Sequence, residues 1–243
     1  MIPNADFTIV SRTKRPTPKD TAFERARDRL RQRSELIRSS ELFMDIVKIL
    51  ESWKPSSTDS WSKVRCLALG SPIEEDQANY QLALLCEIGR YFSIDMVSLY
   101  DPAFTKEDNL FLSSECNFQV EESFESQNMD DVLFFVPHTP IVLLESLFAN
   151  KPKYILTNDV STYTNKFTTK EYFEKYPLCA TVCNSIGTKI DDGFTVVKRR
   201  NKHVTTQTKV QLPKIAVLCH KINPHSKGPW AHAFSDLCLY AFN

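Results

Sequence analysis

The sequence lacks several features that would assign it to a large functional class. It has no excess of charge of either sign, because 30 Lys and Arg residues balance 30 Asp and Glu residues. No overall field would therefore attract the chain to nucleic acid or to an anionic membrane surface. Its longest apolar runs are of strand length, well short of the roughly 20 residues that a membrane-spanning helix needs. We expect neither a membrane partner nor a nucleic-acid partner.

Glycine is scarce as well, with five in 243 residues, and no turn carries the three glycines of a dinucleotide-binding fingerprint. The Gly-x-Ser-x-Gly elbow of many hydrolases does not occur, and neither does the Cys-x-x-Cys-His of haem attachment. Internal repeats are absent too. These absences give no set of catalytic residues and leave any cofactor unidentified.

The seven cysteines follow no disulfide or zinc pattern. They are odd in number, lie mostly inside apolar runs, and follow no recognisable signal peptide, which favours reduced thiols in the cytoplasm or the nucleus. Cys179 with Cys183, and Cys219 with the histidines near it, lack the repeated short spacing of structural zinc ligands. We predict no metal site.

The composition is that of a globular protein, with 42% hydrophobic and 25% charged residues. Residues 1–18 are basic and contain proline, so we predict a flexible tail. Over residues 19–53, apolar residues recur at helical spacing, which predicts one long helix or two helices joined near Ser39 and Ser40. The arginines between 25 and 33 would suit RNA or phosphate, but interleaved acidic residues favour a solvated face.

Residues 60–243 predict an α/β domain, because short apolar runs alternate with amphipathic segments. Predicted strands are 64–69, 95–100, 117–120, Val132–Val136, 154–156, 194–197, 214–219 and Leu237–Phe242. Helices are predicted at Asp76–Tyr91 and Ile141–Ala149, and a polar loop at 199–209. The expected fold is a Rossmann-like, mostly parallel sheet with flanking helices and a long N-terminal helix.

Polar residues follow the predicted parallel strands, where open α/β sheets gather their ligands. The candidate ligand-binding residues are Gly70, Ser71, Asp101, His138, Glu145 and Asn158. Gly70 would allow a backbone to approach a ligand closely, and Ser71 could cap a helix or donate to a phosphate. A histidine flanked by carboxylates can also support acid–base chemistry.

Each candidate has a purely structural alternative. Gly70 also suits a tight turn without a ligand, and Asp101, which precedes a proline, suits a turn initiator. Asp101 follows Gly70 by 31 residues, further than the roughly 20 of a dinucleotide site. His138 could cap the next helix, and Asn158 could close a turn.

Several short segments together resemble the SRR-like family (sensitivity to red light reduced). They are LALGS at 67–71, YQLAL at 80–84, YDPAF at 100–104, FVPHTP at 135–140, LESL at 144–147 and AN at 149–150. The likeness covers about residues 60–165, and 6–15 and 234–242 resemble the family's basic first segment and its closing motif. Ala68 stands where the family usually has a second glycine, and TND at 157–159 stands where it often has Gly-Asn-Ser.

The resemblance implies a regulatory protein without an established catalytic activity. Plant members are associated with light signalling and the circadian clock, fungal members with microtubule-related drug resistance, and animal members with haem biosynthesis and clock-gene expression. The positions that match the family pattern are Gly70, Gln81, Asp101, Pro102, His138, Leu144 and Asn150. We therefore expect a non-enzymatic regulatory protein with protein partners. The alternative is a nucleotide- or cofactor-binding enzyme or sensor that uses the carboxyl edge of the sheet.

Overall fold

The computed structural model describes residues 18–54, 61–124, 131–186, 215–222, 228–230 and 232–242. Its helices are α1 (Pro18–Arg38), α2 (Glu41–Ser52), α3 (Asp76–Tyr91), α4 (Lys106–Cys116), α5 (Ile141–Ala149), α6 (Thr169–Lys175) and α7 (Pro177–Ser185), with a 3-10 helix at Val160–Lys166. Its strands are β1 (Lys63–Leu67), β2 (Val97–Tyr100), β3 (Gln119–Val120), β4 (Val132–Val136), β5 (Tyr154–Asn158), β6 (Val217–Lys221) and β7 (Leu237–Phe242). Of the tail predicted over residues 1–18, only Pro18 is described, and it begins α1. The rest of the predicted tail, the strand predicted at 194–197 and the loop predicted at 199–209 lie outside the described residues.

The strands form one sheet in the order β3-β2-β1-β4-β5-β7-β6. Pairing is parallel from β3 to β5, whereas β7 runs antiparallel to β5 and β6 antiparallel to β7. The predicted Rossmann-like, mostly parallel α/β fold is confirmed. The chain leaves β1 in one direction towards β2 and β3 and later returns beside β1 as β4, so the topological switch point lies between β1 and β4.

The predicted long N-terminal helix is two helices, divided at the serines that the sequence marked. Ser40 has an extended backbone, and its Oγ accepts a hydrogen bond from the N–H of Phe43 at 3.1 Å. This N-cap satisfies an amide at the start of α2 and lets the chain change direction. In the described parts of the chain, no helix combines the length and the apolar character needed to cross a bilayer.

The sheet buries a separate apolar cluster on each of its faces. One cluster joins the sheet to α1, α2, α3 and α4, and the other joins it to α5, the 3-10 helix, α6 and α7. Both faces of β4 are covered, and all five of its residues are buried. This double cover explains why β4 is a continuous apolar run in the sequence.

Residues 121–124, which follow β3, lie beside a buried arginine. Arg65, in β1, is fully buried, and its guanidinium lies 3.0 Å from Glu121 and 3.1 Å from Ser98. It also donates to the carbonyl oxygen of Ser123. Burial lowers the pKa of Arg65, while the nearby Glu121 carboxylate opposes that effect. Arg65 therefore attaches residues 121–124 to β1 through polar contacts.

Candidate functional site at the carboxyl edge

The candidate site is the carboxyl edge of the sheet, which we define as the loops after β1, β2, β4 and β5 together with residues 232–236. The parallel direction of these four strands brings their loops to one edge. Residues 232–236 join this edge because they precede β7, whose first residue, Leu237, pairs with Asn158 at the end of β5. The edge thus contains the switch point, where doubly wound folds bind ligands.

The loop after β1 has a left-handed backbone at two positions. Ala68 has a φ of 54° and Gly70 a φ of 77°. The left-handed conformation disfavours residues with a Cβ atom, so Ala68 adopts it at an energetic cost. A Cβ atom built on Gly70 would lie 3.0 Å from Oε2 of Glu75. Gly70 therefore meets a conformational requirement, whereas the exposed Glu75 side chain could move to admit a Cβ atom.

Asp101 joins the loop after β1 to the loop after β2. Its Oδ2 accepts the N–H of Gly70 at 2.8 Å, and its Oδ1 accepts the N–H of Ala103 at 2.8 Å. The structure thus brings together Gly70 and Asp101, which lie 31 positions apart. The Asp101 carboxylate therefore accepts a hydrogen bond from the Gly70 N–H, a backbone amide of the kind that binds a phosphate in a dinucleotide-binding loop.

Ser71 bonds to a second carboxylate, which sequence reasoning missed. Its Oγ donates to Oδ1 of Asp108 at 2.7 Å and accepts the N–H of Glu74 at 3.1 Å. Asp108 is fully buried and also forms a capping box with Thr105 at the start of α4. The spacing of Thr105 and Asp108 resembles the capping-box pattern and could have revealed this helix start.

His138, in the loop after β4, contacts residues 232–236 through both ring nitrogens. Its Nε2 lies 2.8 Å from the carbonyl oxygen of Ala233, and its Nδ1 lies 3.5 Å from Oδ1 of Asp236. A carbonyl oxygen only accepts, so Nε2 carries a proton and donates it. The backbone of His138 is left-handed, with a φ of 49°. Gln81, on α3, donates to the same Ala233 oxygen at 3.2 Å.

The Asn158 side chain hydrogen-bonds to the backbone of the loop after β4. Its Nδ2 donates to the carbonyl oxygen of Thr139 at 3.1 Å, and its Oδ1 accepts the Thr139 N–H at 3.3 Å. The Tyr163 hydroxyl donates to the same Thr139 oxygen at 2.8 Å and lies 2.9 Å from Nδ2 of Asn158. Burial raises the pKa of Tyr163 and keeps its proton available for this bond.

Glu145 makes a contact of a different kind. Its two carboxylate oxygens accept the N–H groups of Leu178 and Cys179, at 2.8 and 2.9 Å. These amides belong to the first turn of α7, where a carboxylate satisfies free donors and favours the helix dipole. Glu145 therefore joins α5 to α7, a helix that sequence reasoning did not predict.

The candidate residues thus form two groups at one edge. Gly70, Ser71 and Asp101 belong to the first group, and His138 and Asn158 flank Thr139 in the second. Sequence reasoning left out Gln81, Asp108, Tyr163 and Asp236, which complete these groups. Of these, Gln81 had a signal because it matches the family pattern, and Asp236 had one because it lies in the segment 234–242 that resembles the family's closing motif. Among the residues that the structure describes, no three His, Cys, Asp or Glu side chains are grouped as metal ligands.

A parallel sheet in this strand order, with polar loops at its switch point, defines a doubly wound Rossmann-like domain. A family model described as the SRR1 domain matches residues 40–241. The chain therefore belongs to the SRR1 domain family, and the resemblance seen in the sequence is confirmed. The match continues past residue 165 into β7, and α1 precedes it. No solved structure matches the chain.

Proposed function

We propose that the protein is a non-enzymatic regulatory protein that acts by binding protein partners. One observation carries this proposal, namely that the polar side chains of the carboxyl edge hydrogen-bond to the protein itself. Catalytic and cofactor sites instead present donors, acceptors and titratable groups to a bound molecule. Side chains used to hold loops together favour a scaffold over a reaction centre.

The charges around Gly70 argue against a bound phosphate. The Asp101 carboxylate accepts the Gly70 N–H, and the Glu75 carboxylate lies close to the same residue. A nucleotide phosphate would have to displace one carboxylate and would be repelled by both, since like charges close together are unfavourable. This arrangement weakens the nucleotide-binding alternative at the loop after β1.

His138 is similarly occupied. A general base needs a ring nitrogen within hydrogen-bond reach of a substrate proton. Here Nε2 donates to the Ala233 carbonyl oxygen, and Nδ1 faces the Asp236 carboxylate. His138 therefore acts as a link between the loop after β4 and residues 232–236.

The second candidate function is a sensor that binds a small cofactor at the same edge. Three left-handed residues, Ala68, Gly70 and His138, lie in the two loops beside the switch point. Unfavourable backbone conformations are concentrated at functional sites. Ala68 and His138 adopt this conformation at a cost that glycine does not have, and this observation favours a bound molecule beside the two loops.

The family associations extend the proposal to a biological role. SRR-like proteins are linked with light and clock signalling, microtubule-related drug resistance and haem biosynthesis. We infer a regulatory role of this type, exerted in the cytoplasm or the nucleus. Exposed apolar side chains offer surfaces for a partner, and Leu36 on α1 and Met44 on α2 are examples, at 47% and 58% exposure.

A thermal-shift screen tests the proposal against the cofactor alternative. The parent chain, Asp101→Ala and His138→Ala are each heated with ATP, NAD, S-adenosylmethionine and haem. We expect no compound to raise the melting temperature of the parent. A saturable rise of several degrees that both variants lose would support the cofactor-binding sensor and overturn the non-enzymatic scaffold.

A partner screen supplies the complementary measurement. The full chain and the double variant Leu36→Ser, Met44→Ser are compared by quantitative affinity purification from the same cells. We expect the parent to enrich a defined set of proteins, and we expect the variant to lose part of it while keeping the parent's melting temperature. A parent that enriches no protein above a tag-only control would contradict the proposal.

A further inference from the structure

We propose that Cys219 and Cys238 form an oxidant-responsive site, in which a hydroperoxide converts two neighbouring thiols into a reversible disulfide. The proposal concerns the antiparallel end of the sheet and does not depend on the carboxyl edge binding a ligand. It assigns a modification site to a strand pair that plays no part in the proposed function.

The strand register brings the two sulfur atoms together. Cys219 pairs with Tyr240 and Lys221 pairs with Cys238, so the two cysteines are diagonal neighbours on one face of the β6–β7 pair. Their Sγ atoms lie 3.2 Å apart. A disulfide bond is about 2.0 Å long, so the sulfurs need to approach by about 1 Å. Diagonal Cα atoms lie about 7–8 Å apart, so the backbone of β6, the last strand in the sheet order, also has to move slightly.

The two thiols differ in accessibility. Cys238 is fully buried, whereas Cys219 is half-buried on β6, the last strand in the sheet order. Lys221, which lies on the same face of β6 as Cys219, is exposed. A small oxidant therefore reaches Cys219 first, and Cys238 lies behind it as the second thiol.

The two thiols also differ in their acidity. The pKa of Cys219 is lowered, chiefly by the hydrogen bond with the Cys238 thiol, and Lys221 acts in the same direction. The pKa of Cys238 is raised by that same hydrogen bond and by burial. Burial and the Asp159 carboxylate, which lies 2.5 Å from the Lys221 ammonium, oppose the lowering of the Cys219 pKa without reversing it. Cys219 is therefore the nucleophile, because the thiolate is the reactive form.

The chemistry takes two steps with hydrogen peroxide as the oxidant. The Cys219 thiolate attacks one peroxide oxygen, the O–O bond breaks, and hydroxide leaves and takes a proton from solvent. Cys219 becomes a sulfenic acid. The Cys238 sulfur then attacks the Cys219 sulfur, the S–O bond breaks, and the departing hydroxyl takes the Cys238 proton as water. The thiols lose two electrons, and the peroxide gains them.

A second thiol pair in the same chain provides a contrast. The Sγ atoms of Cys86, on α3, and Cys116, at the end of α4, lie 4.0 Å apart. The pKa of Cys86 is raised by its hydrogen bond with Cys116, by burial and by the Glu87 carboxylate. Cys86 therefore offers no stabilised thiolate to an oxidant.

The test uses the full chain, treated with increasing hydrogen peroxide, then alkylated, digested and analysed by mass spectrometry. We expect a linked pair of peptides containing Cys219 and Cys238, which dithiothreitol separates, at peroxide doses that leave Cys86 and Cys116 alkylated. Cys219 should also react with a small alkylating reagent roughly tenfold faster than Cys86, because its thiolate fraction is higher. Disulfides formed first by other cysteines would overturn the proposal.

Single variants separate the two roles. Cys219→Ser should abolish the linked peptides, and Cys238→Ser should leave a sulfenic acid on Cys219 that dimedone traps. Cys238→Ser keeps a hydroxyl donor beside the Cys219 sulfur, whereas Cys238→Ala removes the hydrogen bond that lowers the pKa of Cys219 and should form the adduct more slowly. Both are compared with the parent by melting temperature. Cys86→Ser is the matched control and should form the Cys219–Cys238 link like the parent. A folded Cys238→Ser variant that gives no dimedone adduct would contradict the assignment of Cys219 as nucleophile.

Discussion

The two halves of the carboxyl edge are held together by contacts of different sequence separation. After β1 and β2, the bonded residues belong to neighbouring loops, and Gly70–Asp101 and Ser71–Asp108 span 31 and 37 positions. After β4 and β5, the edge also depends on Ala233, which lies 95 positions from His138 and 152 from Gln81. The loops after β1 and β2 are held together by contacts within neighbouring βαβ units. The loops after β4 and β5 also need residues 232–236, which are distant in sequence, to pack against them.

This difference shows how each half is held. The first half depends on contacts between consecutive elements, whereas residues 232–236 hold the second half by bonds at Ala233 and Asp236. Ala233 and Phe234 are also buried in the apolar cluster that joins the sheet to α1, α2, α3 and α4. The half after β4 and β5 therefore depends on the packing of a distant segment as well as on hydrogen bonds.

The largest effect is expected from Asn158→Ala. Asn158 is buried and bonds to both backbone groups of Thr139 and to the Tyr163 hydroxyl. Its loss leaves the buried Thr139 N–H unpaired and a small cavity, which should lower the free energy of unfolding by about 3 kcal/mol. Urea denaturation measures this change.

The control for this variant is Asn150→Ala, which removes an exposed amide at the end of α5. Its free energy of unfolding should stay within about 0.5 kcal/mol of the parent. A cost below about 1 kcal/mol for Asn158→Ala would mean that the loop after β4 is held by other groups.

Asp108→Ala tests the half after β1 and β2, with an expected cost of about 2 kcal/mol. The change removes the acceptor of Ser71 and the capping box of α4, and an N-terminal cap and a buried hydrogen bond each contribute about 1 kcal/mol. Hydrogen exchange should increase in α4 and not in residues 232–236. Asn109→Ala, at an exposed position of the same helix, is the control. Faster exchange in both halves of the edge after Asp108→Ala would show that the two halves are not held independently.

A double-mutant cycle on Gln81 and His138 tests the docking of Ala233. Gln81→Leu and His138→Ala each remove one donor from the same carbonyl oxygen, so each should cost about 1 kcal/mol. Together they leave that oxygen without either donor, and the double variant should exceed the sum of the two by about 1 kcal/mol. Strict additivity in urea denaturation would show that the two side chains act on different groups.

The smallest effects belong to a pair of opposite exchanges in the loop after β1. Gly70→Ala should cost about 1 kcal/mol, because a left-handed backbone disfavours a Cβ atom and that atom would crowd Glu75. Ala68→Gly relieves the same unfavourable conformation at Ala68 but adds freedom to the unfolded chain. Its melting temperature should equal or slightly exceed that of the parent, and a clear decrease would contradict this account of the loop.

The sequence predicts the parts of the fold that depend on local patterns. The bounds of α3, α5, β4 and β7 agree with the structure, because each is marked by a clear apolar pattern. The predicted first strand extended to residue 69, whereas β1 ends at Leu67, because Ala68 adopts a left-handed backbone that no composition reveals. α4 was missed because Phe111 and Leu112 are its only buried apolar residues.

The sequence predicted where the candidate site lies, but not which hydrogen bonds its residues form. Parallel strands dictated that the polar loops share an edge, so Gly70, Asp101 and His138 could be placed there from the sequence. The partners of these residues depend on tertiary contacts, above all the docking of Ala233 and Asp236 beside His138. Periodicity carries no information about a contact of that range.

The polar groups of the carboxyl edge hydrogen-bond to the protein itself. The most direct test of this statement is a nuclear magnetic resonance titration of the 15N-labelled chain with ATP and magnesium, NAD or pyrophosphate. The account predicts that the amide signals of Ala68, Gly70 and Ser71 do not move at millimolar ligand, because the Asp101 carboxylate already holds the Gly70 N–H. A saturable shift of the Gly70 amide, confined to the loops beside β1 and β4, would show that a phosphate takes the place of that carboxylate and would contradict the account.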